Sequence, residues 1–522
     1  MNNPRRQFIK NAGIASMSIG LLPGFASIEN LFDVSRPLVL ARKSPESQGV
    51  SSKAISDFLA AANGCKYEWH SFMLLRHGNV IAEGWWKPFA AQYKHTLYSL
   101  SKSFTSTAIG LLVAEGKLKV TDEVVSFFPK EVPATISDNL KKMQVKHLLT
   151  MNTGHGEDTM SKMRAAGNQW MQTFLAQPVT FEPGSHFLYN TGATYMLGAI
   201  VYKLTGKKLE EYLSSRLFQP LGIANYDWET SPEGLNTAGY GLRIKTEDIA
   251  RFGQMYLQKG KWDNKQILPE AWVNEATGYQ TKSNEGNGDW SQGYGYQFWR
   301  CKPGFYRGDG AYGQYCIVMP QYDAVLAITG ESWDMQKSMN IAWDTLLPGM
   351  QSSTLPGNEA DYGKLKKDIA ALTVPVPKGD LTSSMSAAYH GKTYKVAANT
   401  FDVRATSFDF SKDACTWKIK TIQGEQTFLF GWGNWAPSQN SNKYLFFLPG
   451  RLHVPSKLAG AAVWTDSNTL QLTNKFAEAM HSDIITCHFE DDKVTISFLN
   501  SVSANNKNDV EKRQALTGKR EA

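Results

Sequence analysis

Ser99 and Lys102 stand three residues apart in the run Y-S-L-S-K-S-F-T-S at 98–106. On a helix, positions i and i+3 lie on one face with Cβ atoms ~5–6 Å apart. A serine hydroxyl there would be a nucleophile with an amine beside it. The amine acts as a base only if its pKa falls from ~10.4 toward neutrality, which burial and a nearby cation or helix dipole can bring about. At a helix N-terminus, free N–H groups also favour the negative charge that develops on a serine oxygen. The bland alternative is an N-capping Ser99 followed by a solvated Lys102, and four residues alone do not separate the two.

Other chemistry-bearing patterns are missing. The sequence has no G-x-S-x-G elbow, no H-E-x-x-H, no phosphate loop and no G-x-G-x-x-G in a βαβ setting. Its ten histidines do not fall at metal-ligand spacing, so neither a metal nor an organic cofactor is expected. Arg307 could meet a substrate carboxylate through charge-assisted hydrogen bonds, or sit solvated at the surface. The aromatic run G-W-G-N-W at 431–435 reads as packing inside a β module rather than a ligand platform.

The chain has 522 residues, too many for one ordinary core, and two domains are expected. With 42% hydrophobic and 20% charged residues it has the balance of a globular protein rather than a disordered one. A net charge of +7 without a long basic run after the N-terminus argues against nucleic acid as a partner. Residues 1–26 combine Arg5, Arg6 and Lys10 with a short apolar stretch and small residues near Ala26. They read as an export signal of twin-arginine type, and hence a periplasmic location; a frayed amphipathic terminus is the alternative. The five cysteines are widely spaced and odd in number, so a disulfide framework is not expected.

These residues need elements to hold them. S-F-M-L-L-R-H-G-N-V-I-A-E-G-W-W predicts two strands around a turn at His77-Gly78-Asn79. Apolar spacing predicts helices over 99–115, 192–204 and 246–258, each followed by glycine. Two late strands, Y-G-Q-Y-C-I-V-M-P and A-V-L-A-I-T-G, would lie beside the early pair. Residues 351–381 are punctuated by Pro and Gly and read as a linker. Short strands then follow over 382–505 and predict an all-β domain, a meander, sandwich or small barrel. The polar residues from about Ala504 onward are expected to lie outside it.

Five segments resemble the serine β-lactamase and penicillin-binding protein superfamily, especially its class C-like esterase and nylon-oligomer hydrolase branch. They are Y-S-L-S-K-S-F-T, then V-K-H-L-L-T-M-N-T-G at 145–154, then the run at 181–201 containing F-L-Y-N-T-G. After these come R-L-F-Q-P-L-G-I at 216–223 and G-Y-G-Y-Q-F-W at 293–299. The resemblance covers about 40–350. It implies an α/β (α+β) domain there, with a central antiparallel sheet flanked by helices. It makes Ser99 the acylated residue, Lys102 its base, and Tyr189 the group that shares protons with the lysine and serves the leaving group. Thr191 stands where the family has Asn, and no K-T-G is present. By the match to G-A-Y-G-Q, the Ala311 N–H would join that of Ser99 in an oxyanion hole, with Thr191, Arg307 and Tyr312 as substrate contacts.

Those departures turn the expectation from β-lactams toward esters or amides of small molecules. Two rival readings stand beside it. One is an acyltransferase that passes the acyl group to a small apolar alcohol of sterol-like character; the other is a catalytically silent periplasmic binding protein.

Overall fold

The early hairpin forms as its pattern predicts. Strands Glu68–Arg76 and Asn79–Trp85 are joined by His77 (φ 48°) and Gly78 (φ 73°), the two left-handed residues a tight hairpin turn requires. The computed structural model describes residues 39–440, 456–506 and 508–521. The export segment read at 1–26 and the apolar run K-Y-L-F-F-L at 443–448 lie outside the described residues.

The hairpin is one edge of a six-stranded antiparallel sheet. Its order is Asn79–Trp85, Glu68–Arg76, Ala324–Glu331, Gln314–Met319, Tyr306–Gly310 and Trp299–Arg300. Early and late strands are thus neighbours, with Phe72 opposite Ile328 and Leu74 opposite Leu326. Strand Glu68–Arg76 is buried along nearly its whole length, because helices cover both faces of the sheet. Helix Thr246–Leu257 packs on one face so closely that a Cβ on Gly253 would lie 2.6 Å from Val325 Cγ1. Helices Ser52–Gly64 and Met335–Thr345 share the apolar cluster on the other, with Ile55, Phe58, Phe72 and Met339 at its centre. All five cysteines are free thiols, four of them buried.

Helix Ser101–Ala114 lies against helix Thr191–Thr205, both buried over most of their length inside the larger core. The second helix starts at Asn190, whose side chain accepts the Ala193 N–H, and stops at Gly206 (φ 68°).

The C-terminal region is a closed barrel. Its ring runs Gly424–Trp432, Ala414–Thr421, Val403–Phe410, Thr393–Val396, Leu516–Arg520, Lys493–Asn500, Ser482–Glu490, Thr469–Phe476 and Ser456–Trp464. Parallel pairing of Phe430 with Gly460 and of Trp432 with Ala462 closes it. Alternate residues point inward, and Trp417, Phe428, Phe430, Tyr394, Phe408, Trp464 and Phe489 fill one buried cluster. The expectation that the chain leaves this domain near Ala504 is corrected. Leu516–Arg520 is a barrel strand, hydrogen-bonded to Thr393–Val396 on one side and Lys493–Asn500 on the other. Backbone pairing with both neighbours needs little apolar content, so its polar sequence concealed it.

Residues 351–381 are a strap rather than a free linker. Helix Glu359–Ala370 packs on helix Ser52–Gly64, and Leu365, Leu372 and Val374 enter the core beneath the sheet. Barrel and sheet belong to one compact unit, residues 39–522. Lys475 of the barrel bonds both Glu68 carboxylate oxygens at 2.6 Å, and His481 meets Glu331 at 2.8 Å.

Candidate active site

Ser99 sits in a single 3-10 turn, Tyr98–Leu100, that runs straight into helix Ser101–Ala114. The turn is fastened from both sides. Leu97 N–H donates to Leu242 O at 2.9 Å, Ser101 Oγ donates to Tyr98 O at 2.7 Å, and Leu242 N–H donates to Ser101 Oγ at 3.2 Å. Tyr98 itself has φ 48°, a left-handed backbone that a bulky residue rarely adopts.

The edge of the sheet passes beside this turn. A Cβ on Gly310 would lie 3.1 Å from the Ser99 amide nitrogen and would run into the Leu97 carbonyl. One on Gly308 would lie 2.5 Å from both Leu100 Cδ1 and Ser103 Oγ. The two glycines of R-G-D-G are therefore required by close approach of strand Tyr306–Gly310 to the nucleophile turn. Ala311 follows immediately, half-buried in the turn that leads to strand Gln314–Met319.

Lys102 is 1% exposed. Its Nζ donates to Ser99 Oγ at 3.1 Å and to Gly239 O at 2.8 Å, and stands 3.5 Å from Thr191 Oγ1. Burial pulls its pKa down to about 7, with Arg164 adding to the fall and the Asp158 and Asp309 carboxylates opposing it. A large fraction of the molecules at neutral pH therefore carry an uncharged amine against the serine hydroxyl.

Tyr189 is stacked on Trp299 (centroids 5.5 Å apart), with Lys102 Nζ 4.9 Å from its ring centre. Burial, helped by Asp309, pushes the phenol well above its ordinary value, while its hydrogen bond with Ser99 works the other way. The resting phenol keeps its proton and is a donor, so the roles divide: an amine that can accept and a hydroxyl that can give.

Thr191 opens its helix, its N–H held by Asp158 Oδ1 at 3.0 Å. Tyr312 has φ 65° and stands edge-on to Tyr98 (5.6 Å) and Trp333 (4.7 Å), forming an aromatic wall by the turn. The substrate contact read at Arg307 is corrected. Arg307 is 0% exposed; its Nε bonds Asp309 Oδ2 at 2.9 Å and its Nη1 bonds Arg300 O at 2.8 Å. Its guanidinium lies 4.4 Å from the Trp290 ring centre and 5.8 Å from that of Trp299. The carboxylate it meets is the protein's own, and it sits behind the wall on which Tyr189 stacks.

Several contributors escaped sequence reasoning. Gly239 supplies the carbonyl that holds Lys102, and a Cβ there would come within 2.8 Å of Thr191 Cγ2 and 3.3 Å of Lys102 Nζ. The segment N-T-A-G-Y at 236–240 carries no titratable group beyond a tyrosine, so nothing marked it. Asp158 touches the site through Thr191 and by charge, and His481 reaches Tyr98 Oη at 2.9 Å from the barrel. Among the described residues no group of three or more His, Cys, Asp or Glu could hold a metal ion.

The Beta-lactamase family model matches residues 69–347, which takes in every residue of this constellation except His481. The 6-aminohexanoate-dimer hydrolase of Paenarthrobacter ureafaciens is 26% identical over 288 residues, covering 50% of this chain and 72% of that protein. A beta-lactamase of Escherichia coli (strain K12) is 23% identical over 239 residues, covering 42% of this chain and 61% of the relative. Among solved structures, a putative 6-aminohexanoate-dimer hydrolase from Bacillus anthracis aligns with a TM-score of 0.47 at 22% identity, over 63% of this chain and 86% of that one.

Proposed function

For a chain that belongs to the Beta-lactamase family, we propose the chemistry of a serine hydrolase that forms an acyl-enzyme on Ser99 from esters or amides of small molecules. The observation that carries this is the 3.1 Å contact between Ser99 Oγ and a buried Lys102 whose pKa is about 7. Neutral Lys102 takes the Ser99 proton as Oγ attacks the carbonyl carbon. The oxyanion is received by the N–H groups of Ser99 and Ala311; the approach of Gly310 to the Ser99 amide supports that pairing. As the bond to the leaving group breaks, Tyr189 gives it a proton and is resupplied through Lys102. Water then adds to the acyl carbon and releases the acid, restoring Ser99.

Thr191 in place of an amide side chain, and the absence of K-T-G, support ester or amide substrates over β-lactams. The relative named 6-aminohexanoate-dimer hydrolase supports the same choice. Transfer to a small alcohol is the second reading; it is favoured by the aromatic wall of Tyr98, Tyr312 and Trp333, an apolar surface suited to an apolar acceptor. The Arg5-Arg6 segment supports an exported enzyme.

Intact-mass measurement after incubation with p-nitrophenyl esters, thioesters and anilides tests the proposal. A mass gain equal to the acyl group, lost in Ser99→Ala, is the expected result. No acylation and no labelling by a fluorophosphonate would sink it in favour of a silent binding protein. Adding competing alcohols separates hydrolysis, which yields free acid alone, from transfer.

A further inference from the structure

The residue before the nucleophile has a cost that its neighbours must meet. Tyr98 holds a left-handed backbone (φ 48°), a conformation that persists in a bulky residue only when surrounding contacts over-determine it. Its side chain is caught by a residue 383 positions away: Tyr98 Oη lies 2.9 Å from His481 Nε2. His481 is on the barrel, in the turn between strands Thr469–Phe476 and Ser482–Glu490, and is 2% exposed.

The imidazole is itself fixed. Its Nδ1 lies 2.8 Å from Glu331 Oε1 and 3.2 Å from Ser501 Oγ, and Ser501 Oγ donates to the same Glu331 oxygen at 2.6 Å. Glu331 ends the central strand Ala324–Glu331, so the anchor is the rigid sheet. With Nδ1 turned to Glu331, Nε2 is left to meet the Tyr98 hydroxyl. Tyr312 completes the clamp, edge-on to Tyr98 at 5.6 Å and to His481 at 5.0 Å.

We infer that His481 is a positioning residue: the line Glu331–His481–Tyr98, built across the barrel interface, holds the Ser99 turn in its attack-ready geometry. The inference rests on the acyl-enzyme reading of Ser99. Released from His481, Tyr98 can relax toward ordinary negative φ and swing Ser99 away from Lys102 and from the Ala311 amide. The line acts on the backbone of the nucleophile turn through the Tyr98 hydroxyl, so the loss falls on the acylation step. Displacements of about 1 Å at a nucleophile cost up to ~100-fold in rate.

The test uses the full chain carrying His481→Ala, His481→Gln, Tyr98→Phe and the double variant His481→Ala/Tyr98→Phe. Readouts are the second-order rate of fluorophosphonate labelling at Ser99, the KM and kcat for a p-nitrophenyl ester, and a thermal melt. Each single loss should slow labelling and kcat ~10–100-fold with KM changed less than about 3-fold. The double variant should be no slower than the slower single, since both remove one line of contact. His481→Gln, whose amide can both donate and accept, should recover part of the rate. If His481→Ala does not fold, Tyr98→Phe removes the same contact with the loss of one oxygen and decides alone. Wild-type labelling rates in the single variants, or losses that multiply in the double, overturn the inference. A wild-type protein that is not labelled at all refutes the acyl-enzyme reading instead.

Discussion

Replacing Lys102 by Met should abolish acylation and at the same time make the protein more stable at pH 7. The amine is buried, and its pKa falls from 10.5 to about 7 in the folded chain. At about 1.4 kcal/mol per pH decade, that interval corresponds to roughly 4–5 kcal/mol by which the fold disfavours the charged lysine. Met removes the penalty and fills similar space with apolar atoms. Against this, Gly239 O loses the donor it has at 2.8 Å, and a buried acceptor left bare costs about 1–3 kcal/mol. The expected net gain is about 1–3 kcal/mol at pH 7.

The pH dependence makes the prediction specific. Between pH 7 and 10.5 the unfolded chain binds more protons at this lysine than the folded chain, so wild-type stability rises with pH across that window. The advantage of Lys102→Met should therefore be largest near pH 7 and below, and should shrink as pH approaches 10.5. Urea unfolding of both proteins at pH 7, 8.5 and 10 measures it. A variant that is less stable than wild type at pH 7, or a difference that does not shrink with pH, would falsify the claim that burial pulls the Lys102 pKa down.

Acylation by a neutral activated ester should rise with pH through about 7 and then level, because the base is the uncharged amine; a flat profile from pH 5.5 to 8.5 would exclude Lys102 as that base. Tyr189→Phe should reduce kcat for anilides by ~10²–10⁴-fold but for p-nitrophenyl esters by less than about 10-fold, since nitrophenolate leaves without a proton; equal losses would remove Tyr189 from leaving-group protonation. Arg307→Met should cost about 3–5 kcal/mol in urea unfolding, because Asp309 is left as a buried unpaired carboxylate; a cost below 1 kcal/mol would mean the pair is not what holds Asp309 in place.

Much of the frame was legible because it is written in local pattern. The Ser99–Lys102 spacing puts both side chains on one face wherever the helix goes. The His77-Gly78 turn, and glycine at the helix stops Gly206 and Gly260, need only the backbone's own sterics. Alternating apolar residues likewise marked the β-rich C-terminal region, whatever the order of its strands.

What remained hidden depends on which distant segments meet. Gly239 and Gly310 look like any loop glycine until Lys102 or Ser99 arrives beside them. Arg307 reads as a substrate contact or a surface cation and becomes a buried structural one only because Asp309, Trp290 and Trp299 surround it. The last barrel strand, Leu516–Arg520, is set by pairing with two partners and not by its own composition. The lysine's chemistry shows the division most plainly. The sequence by itself determined that an amine would stand next to Ser99. Only tertiary burial decided that the amine could lose its proton near pH 7, because the cost of a charge depends on what replaces water around it.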